Sequence, residues 1–112
     1  MRVALLTREY PPEVYGGAGV HVEYLARELR ELVDVRVHCW GAPREDATAH
    51  RAWDELAGDA PHLAALRAVS IDLTMAAGVE GCELAHSHTW YANLAGHLAK
   101  LLYGIQIGRA HV

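Results

Sequence analysis

Thr7-Arg-Glu-Tyr-Pro-Pro-Glu-Val-Tyr-Gly-Gly-Ala-Gly-Val-His-Val22 joins a strand pattern to a helix pattern, and the join sets the fold class. Before it, Val3 to Leu6 is an unbroken apolar run, the pattern of a parallel strand covered on both faces. After it, Ala18, Val22, Leu25, Leu29 and Leu32 recur at helical spacing, with Glu23, Arg27, Arg30 and Glu31 opposite. Glu23 and Arg27 form an i,i+4 pair of favourable orientation. Pro11 and Pro12 exclude helix from the loop between. Gly16, Gly17 and Gly19 stand where the helix should begin. A helix opened by glycines offers N–H groups that lack intrahelical acceptors, adds partial positive charge, and lets an anion approach the backbone. Spacing alone leaves two readings level: a phosphate cradle, or a tight turn.

Further along, Val33 to Trp40 reads as a second strand, ended by Gly41, Ala42 and Pro43. A polar stretch through Ala49 reads as exposed loop, and His50 to Gly58 has no clear pattern. Pro61 can open a helix, and Leu63, Leu66, Ile71 and Met75 give it an imperfect stripe to about Ala77. Glu83 to His86 is a third strand candidate. Trp90, Leu94, Leu98, Leu101 and Leu102 mark a last helix, stopping near Gly104. Strand and helix thus alternate three times. That order predicts an α/β fold, a partial Rossmann-like domain with right-handed crossovers and a parallel sheet. A nicotinamide fingerprint fits poorly. Its first glycine should follow the strand directly, and the second strand should end on an acid, whereas here it ends His38-Cys39-Trp40.

Composition narrows the function classes. The chain has 112 residues, 52% hydrophobic and 21% charged, which suits one small globular domain. Net charge is −4 with no basic face, which argues against nucleic acid as a partner. No secretory leader pattern and no membrane-length apolar stretch are present, so a cytoplasmic protein without a membrane partner is expected. Cys39 and Cys82 are isolated and read as buried small hydrophobes in a reducing compartment. The eight histidines are scattered. His86 and His88 lack an evident third ligand, so no metal is expected.

His86-Ser-His-Thr-Trp-Tyr91 lies at the carboxyl end of the third strand, where open parallel sheets bind ligands. His88 there can face the crevice and hydrogen-bond a sugar hydroxyl or stabilise developing charge. A plain helix cap or a histidine satisfied by local backbone is the bland alternative. Glu9 can hold Arg8 or the glycine loop in shape, and Tyr10 and Tyr15 can line a sugar site; ordinary surface roles are as good for each alone. His21 faces either a phosphate or solvent. Trp40 and Trp53 carry no assigned role.

Taken together, Arg2-Val-Ala-Leu-Leu-Thr-Arg-Glu-Tyr-Pro-Pro-Glu-Val-Tyr-Gly-Gly-Ala-Gly-Val-His-Val22 and His86-Ser-His-Thr-Trp-Tyr91 resemble the amino-terminal part of bacterial glycogen synthases. The actinobacterial type is the nearest, within the retaining glycosyltransferases built from two facing Rossmann-like domains (the GT-B fold). The resemblance covers residues 1–105. It implies transfer of glucose from a nucleotide sugar, ADP-glucose, to an α-glucan or to glucose 1-phosphate. The products would be an α-1,4 link or maltose 1-phosphate, formed with retention and without a cofactor. It implies that Gly16 and Gly17 lie against the donor's diphosphate and sugar. It implies that His88 is catalytic and touches the donor glucose near its reacting carbon. Trp90 and Tyr91 follow in the family's order and count among the substrate-binding residues, with Tyr15 and Glu9.

Two departures stand out. Val14 occupies a position where many glycogen and starch synthases have lysine. The paired glutamates and basic residues that hold the nucleotide belong to a second domain, absent from this sequence, so the chain alone is expected to be inactive. The alternatives are a related glycosyltransferase with another acceptor, or a non-catalytic nucleotide- or phosphate-binding module. Finally, Ile107-Gly-Arg-Ala-His-Val112 resembles a translated sequencing-library adapter. The expected division is 1–105, a partial acceptor-side domain, and 106–112, a non-native tail; an ordinary strand is the alternative.

Overall fold

The apolar run after Met1 becomes β1 (Arg2–Leu6), the central strand of a five-stranded sheet in the computed structural model. The structure describes residues 1–14 and 16–110. Tyr15, expected in the sugar site, lies outside them. The remaining elements are α1 (Gly17–Leu29), β2 (Asp34–Trp40), β3 (Thr48–His50), α2 (Pro61–Gly78), β4 (Leu84–His88), α3 (Trp90–Tyr103) and β5 (Gln106–Ala110), with a short 3₁₀ turn at Asp54–Leu56.

All pairings are parallel, in the order β3-β2-β1-β4-β5. β1 sits between partners on both sides, with Leu5 opposite Val37 of β2 and His86 of β4. Its side chains alternate between two cores, as a pleated strand requires. Val3 and Leu5 pack with Val22 and Ala26 of α1, whereas Ala4 and Leu6 pack with Ile71 and Met75 of α2 and with Ala92, Ala95 and Ala99 of α3. One helix therefore covers one face and two cover the other. The strand order reverses between β1 and β4, which makes the carboxyl ends of these two strands the switch point.

Several expectations are corrected in detail. The polar loop through Ala49 contains β3, which pairs with His38–Trp40. Three residues are too few to show a strand period. α1 stops at Leu29 rather than Leu32, because the Leu29 carbonyl accepts from the N–H groups of both Leu32 and Val33. That tight closure leaves Leu32 80% exposed and lets β2 start at Asp34. β4 runs two residues beyond His86, so Ser87 and His88 belong to the strand. α3 ends as expected, with Gly104 left-handed at φ 69°.

Residues 106–110, expected as a foreign tail, form β5 beside β4, from Leu84↔Gln106 to His88↔Ala110. Such pairing needs only an extended backbone at an open sheet edge, so it speaks to conformation and not to origin. Cys39 and Cys82 are both free and buried, and burial pushes the Cys39 thiol up to about 11.

Candidate functional site

The loop after β1 is pinned from three directions. The Thr7 hydroxyl donates to the Glu9 carbonyl at 2.9 Å, and the wholly buried Tyr10 donates to Asp46 at 3.2 Å. Arg44 donates to the carbonyl oxygens of Tyr10 and Trp40 and to the Glu13 carboxylate at 2.8 Å. Glu9 Oε1 accepts from the Gly16 N–H at 2.8 Å, which ties the loop to the cap residue of α1. Glu9 thus holds the glycine turn in shape, one of the two roles open to it at the sequence level.

The three glycines separate by packing. A Cβ on Gly19 would lie 3.0 Å from Glu9 Cβ and 3.0 Å from Val14 Cγ2, so this glycine serves the close approach of loop and helix. A Cβ on Gly16 or Gly17 would meet nothing within 4 Å. Neither has a positive φ, since Gly16 is extended at φ −169° and Gly17 opens the helix. Among the described residues, no contact requires glycine at 16 or 17. The N–H groups of the first turn lack intrahelical acceptors by the geometry of a helix start.

That helix start faces a cavity of about 500 Å³, whose walls include Glu9, Gly17, His21, Thr89, Trp90 and Tyr91. The two sequence motifs, far apart in the chain, therefore meet at the switch point. Trp90 and Tyr91 stack at 4.0 Å, Tyr91 meets the edge of Trp40 at 5.6 Å, and the Arg8 guanidinium lies 4.3 Å from the centre of the Tyr91 ring.

His88 does not line this cavity. It is 0% exposed at the end of β4, and both ring nitrogens are buried without a hydrogen-bond partner. Its ring lies 4.5 Å from His86 and 5.7 Å from His21, which does line the cavity. Burial, with two nearby imidazoles adding to it, lowers its pKa to about 4, so the ring is neutral at pH 7. The next residue, Thr89, has φ 65° and ψ 164°, a backbone region nearly confined to glycine, and its hydroxyl is also buried and unpartnered. Such strain costs on the order of 1–3 kcal/mol and clusters at binding sites. Among the described residues no group of three or more His, Cys, Asp or Glu is placed to hold a metal ion, and no helix is long and apolar enough to cross a membrane.

Trp40 and Asp72 carry no role at the sequence level, and Thr89 reads there only as a helix-cap candidate; it stands at the N-cap of α3 without a side-chain capping bond. The strain at Thr89 has no signal, because strain is not written in residue type. Asp72 does have one: a carboxylate in the apolar stripe of Ala68, Ile71, Met75 and Ala76.

A doubly wound half-sheet with a glycine-opened helix at its switch point is an architecture for nucleotide-type ligands. The family model for Glycosyltransferase Family 4 matches residues 15–109, and the chain belongs to that family. It is similar to α-maltose-1-phosphate synthase of Mycolicibacterium smegmatis, 57% identical over 105 residues, which is 94% of this chain and 26% of that protein. It is also similar to α-maltose-1-phosphate synthase of Mycobacterium tuberculosis, 59% identical over 105 residues, again 94% of this chain and 26% of the relative. The chain thus spans about a quarter of the length of these curated relatives.

Proposed function

We propose that this domain is the acceptor-side part of a retaining glucosyltransferase that makes α-maltose 1-phosphate from a nucleotide-activated glucose, ADP-glucose, and glucose 1-phosphate. The observation that carries the reading is the cavity at the start of α1, which Gly17 lines and where no contact among the described residues accounts for a glycine. The likeness to synthases named for this product supports the choice of acceptor.

In this reading the first-turn N–H groups of α1 and its partial positive charge receive the donor's diphosphate. Glu9 fixes that turn through the Gly16 N–H. Trp90 and Tyr91 present aromatic faces to sugar rings. The bond from the anomeric carbon to the diphosphate breaks, a bond to an acceptor hydroxyl forms on the same face, and the hydroxyl proton passes to the departing diphosphate oxygen. His88 is neutral with two unsatisfied nitrogens, so it can hydrogen-bond a donor hydroxyl once the side chains over it turn aside. The resemblance calls for no cofactor or metal.

The test is to supply the complete gene product with ADP-glucose and either glucose 1-phosphate or glycogen, and to follow phosphorus NMR and product mass. Maltose 1-phosphate is the expected product. Transfer to glycogen alone would move the protein to the glycogen synthases. No transfer to either by a folded protein would refute the reading, leaving a binding module or another acceptor. His88→Ala should lower turnover far more than melting temperature, and unchanged turnover would remove His88 from the reaction.

A further inference from the structure

On the other side of the Trp90–Tyr91 pair lies a second cavity, of about 790 Å³, between α2, α3 and the end of β2. Arg8, Trp40, Ala52 and Ile71 also line an adjoining hollow of about 370 Å³ that reaches Arg51. The larger cavity falls in the size range of small-molecule sites.

Two of the residues that line it carry polar atoms that are shut off from solvent and have no partner among the described residues, so a ligand reaches them only as the side chains over them shift. Asp72 is 4% exposed and its Oδ1 has no hydrogen-bond partner. The Trp40 indole N–H is buried and likewise without a partner. Folded proteins seldom leave buried donors and acceptors unpaired, and such groups mark places where a ligand completes the bonding. One is an acceptor and the other a donor, the pair that hydroxyl groups satisfy. Trp90 and Tyr91 add flat apolar faces. The charges run against the chain's overall sign. Arg8, Arg51 and Arg67 border the joined hollows. Of the two carboxylates there, Glu13 is paired with Arg44 at 2.8 Å. Burial also holds the Asp72 carboxyl up to about 7, so it carries only part of a charge at neutral pH.

We propose that this groove is a sugar-phosphate site, in which Asp72 and the Trp40 indole bind ring hydroxyls while Arg8 and Arg51 face the phosphate. The assignment rests on the function proposed above and gives its acceptor a place. The shared Trp90–Tyr91 wall sets that acceptor beside the donor cavity, as transfer between two bound sugars requires.

The experiment is calorimetric titration of the complete gene product with α-glucose 1-phosphate, and separately with ADP-glucose. Asp72→Leu, Trp40→Phe and Arg51→Ala are compared with the parent. The first two remove the Asp72 Oδ1 and the Trp40 indole N–H, which have no partner among the described residues, so the fold should hold, and circular dichroism checks it. If one of them unfolds, the other decides. The expected result is that each weakens glucose 1-phosphate by about tenfold, while ADP-glucose binding is unmoved. Variants that bind glucose 1-phosphate like the parent overturn the site. So does inorganic phosphate binding as tightly as the sugar phosphate, because the hydroxyl contacts would then contribute nothing. ADP-glucose binding without glucose 1-phosphate binding overturns this inference and leaves the donor site standing. Glucose 1-phosphate binding without ADP-glucose supports the groove and removes the donor reading. If neither binds, both fall.

Discussion

Replacing Gly17 and Gly19 in turn by alanine separates a glycine kept for a ligand from one kept for packing. In a helix, glycine to alanine stabilises by about 0.5–1 kcal/mol where the new methyl fits, mostly by restricting the unfolded chain. At Gly17 the methyl meets nothing within 4 Å among the described residues, so the gain should be retained. At Gly19 it would sit 3.0 Å from Glu9 Cβ and from Val14 Cγ2, and 3.1 Å from Val14 Cγ1. Glu9 Cβ is fixed to the backbone of a loop held by Arg44 and Gly16, so it cannot step aside as a side-chain end could. Overpacking of this kind costs about 1–3 kcal/mol, which exceeds the helix gain. The net expectation is a loss of about 1 kcal/mol or more at Gly19, and a gap of about 2 kcal/mol between the variants. For a domain of this size each kcal/mol moves the melting temperature by roughly 4–8 °C. Circular-dichroism melts of the two variants measure the gap, and titration of the same variants of the complete gene product with ADP-glucose supplies the second reading. Gly17→Ala should melt higher than the parent and bind ADP-glucose more weakly. If both variants shift stability in the same direction by the same amount, the packing argument is wrong. If Gly17→Ala binds ADP-glucose like the parent, Gly17 does not face the donor.

Arg44→Lys should cost about 2–3 kcal/mol in urea unfolding, because Arg44 is only 6% exposed on its side chain and bridges Tyr10, Trp40 and Glu13 with a fork that lysine lacks; a cost below about 0.5 kcal/mol would show that the loop is held by other contacts. His38 and His88 are both lowered from 6.5 to about 4, chiefly by burial, so as pH falls the unfolded chain takes up their protons first. Stability should be full above pH 6.5 and be lost toward pH 4, by up to roughly 3 kcal/mol per histidine, and His88→Gln should flatten that slope in urea midpoints measured across the range. Asp72 has the opposite sign: its carboxyl is raised from 3.8 to about 7 by burial, so the folded state holds the proton longer and the penalty grows as pH rises through that window. Asp72→Asn should therefore stabilise above pH 7, with a ceiling of about 4 kcal/mol, and do nothing near pH 3.8; equal effects at both ends would refute the burial account.

Much of this architecture was legible before any coordinates. Val3 to Leu6, the α1 stripe and the Leu94 to Leu102 stripe carry periods that only one secondary structure can bury, and their alternation calls for a parallel sheet. Gly104 ends α3 because a left-handed residue is needed there, which is a local requirement. The motif at Gly16 reads as a helix start and the one at His86 as a strand end, and both therefore belong at a sheet's carboxyl edge. The bounds of short elements were not. β3 exists because β2 offers it an edge, and α1 ends where Leu29's carbonyl is captured by the turn into Asp34.

What residue order determines in this protein is everything set by local period and local backbone need: the strand–helix alternation, the stop of α3 at Gly104, and the glycines at the start of α1. What only tertiary structure decides is which of those glycines is packed and which is open, that His88 is wholly buried, and that Asp72 and Trp40 share a groove across Tyr91. The physical reason is that burial and unsatisfied hydrogen bonds are properties of neighbours. For these residues the neighbours come from strands and helices dozens of positions away, brought together only by the crossing of the chain from one face of the sheet to the other.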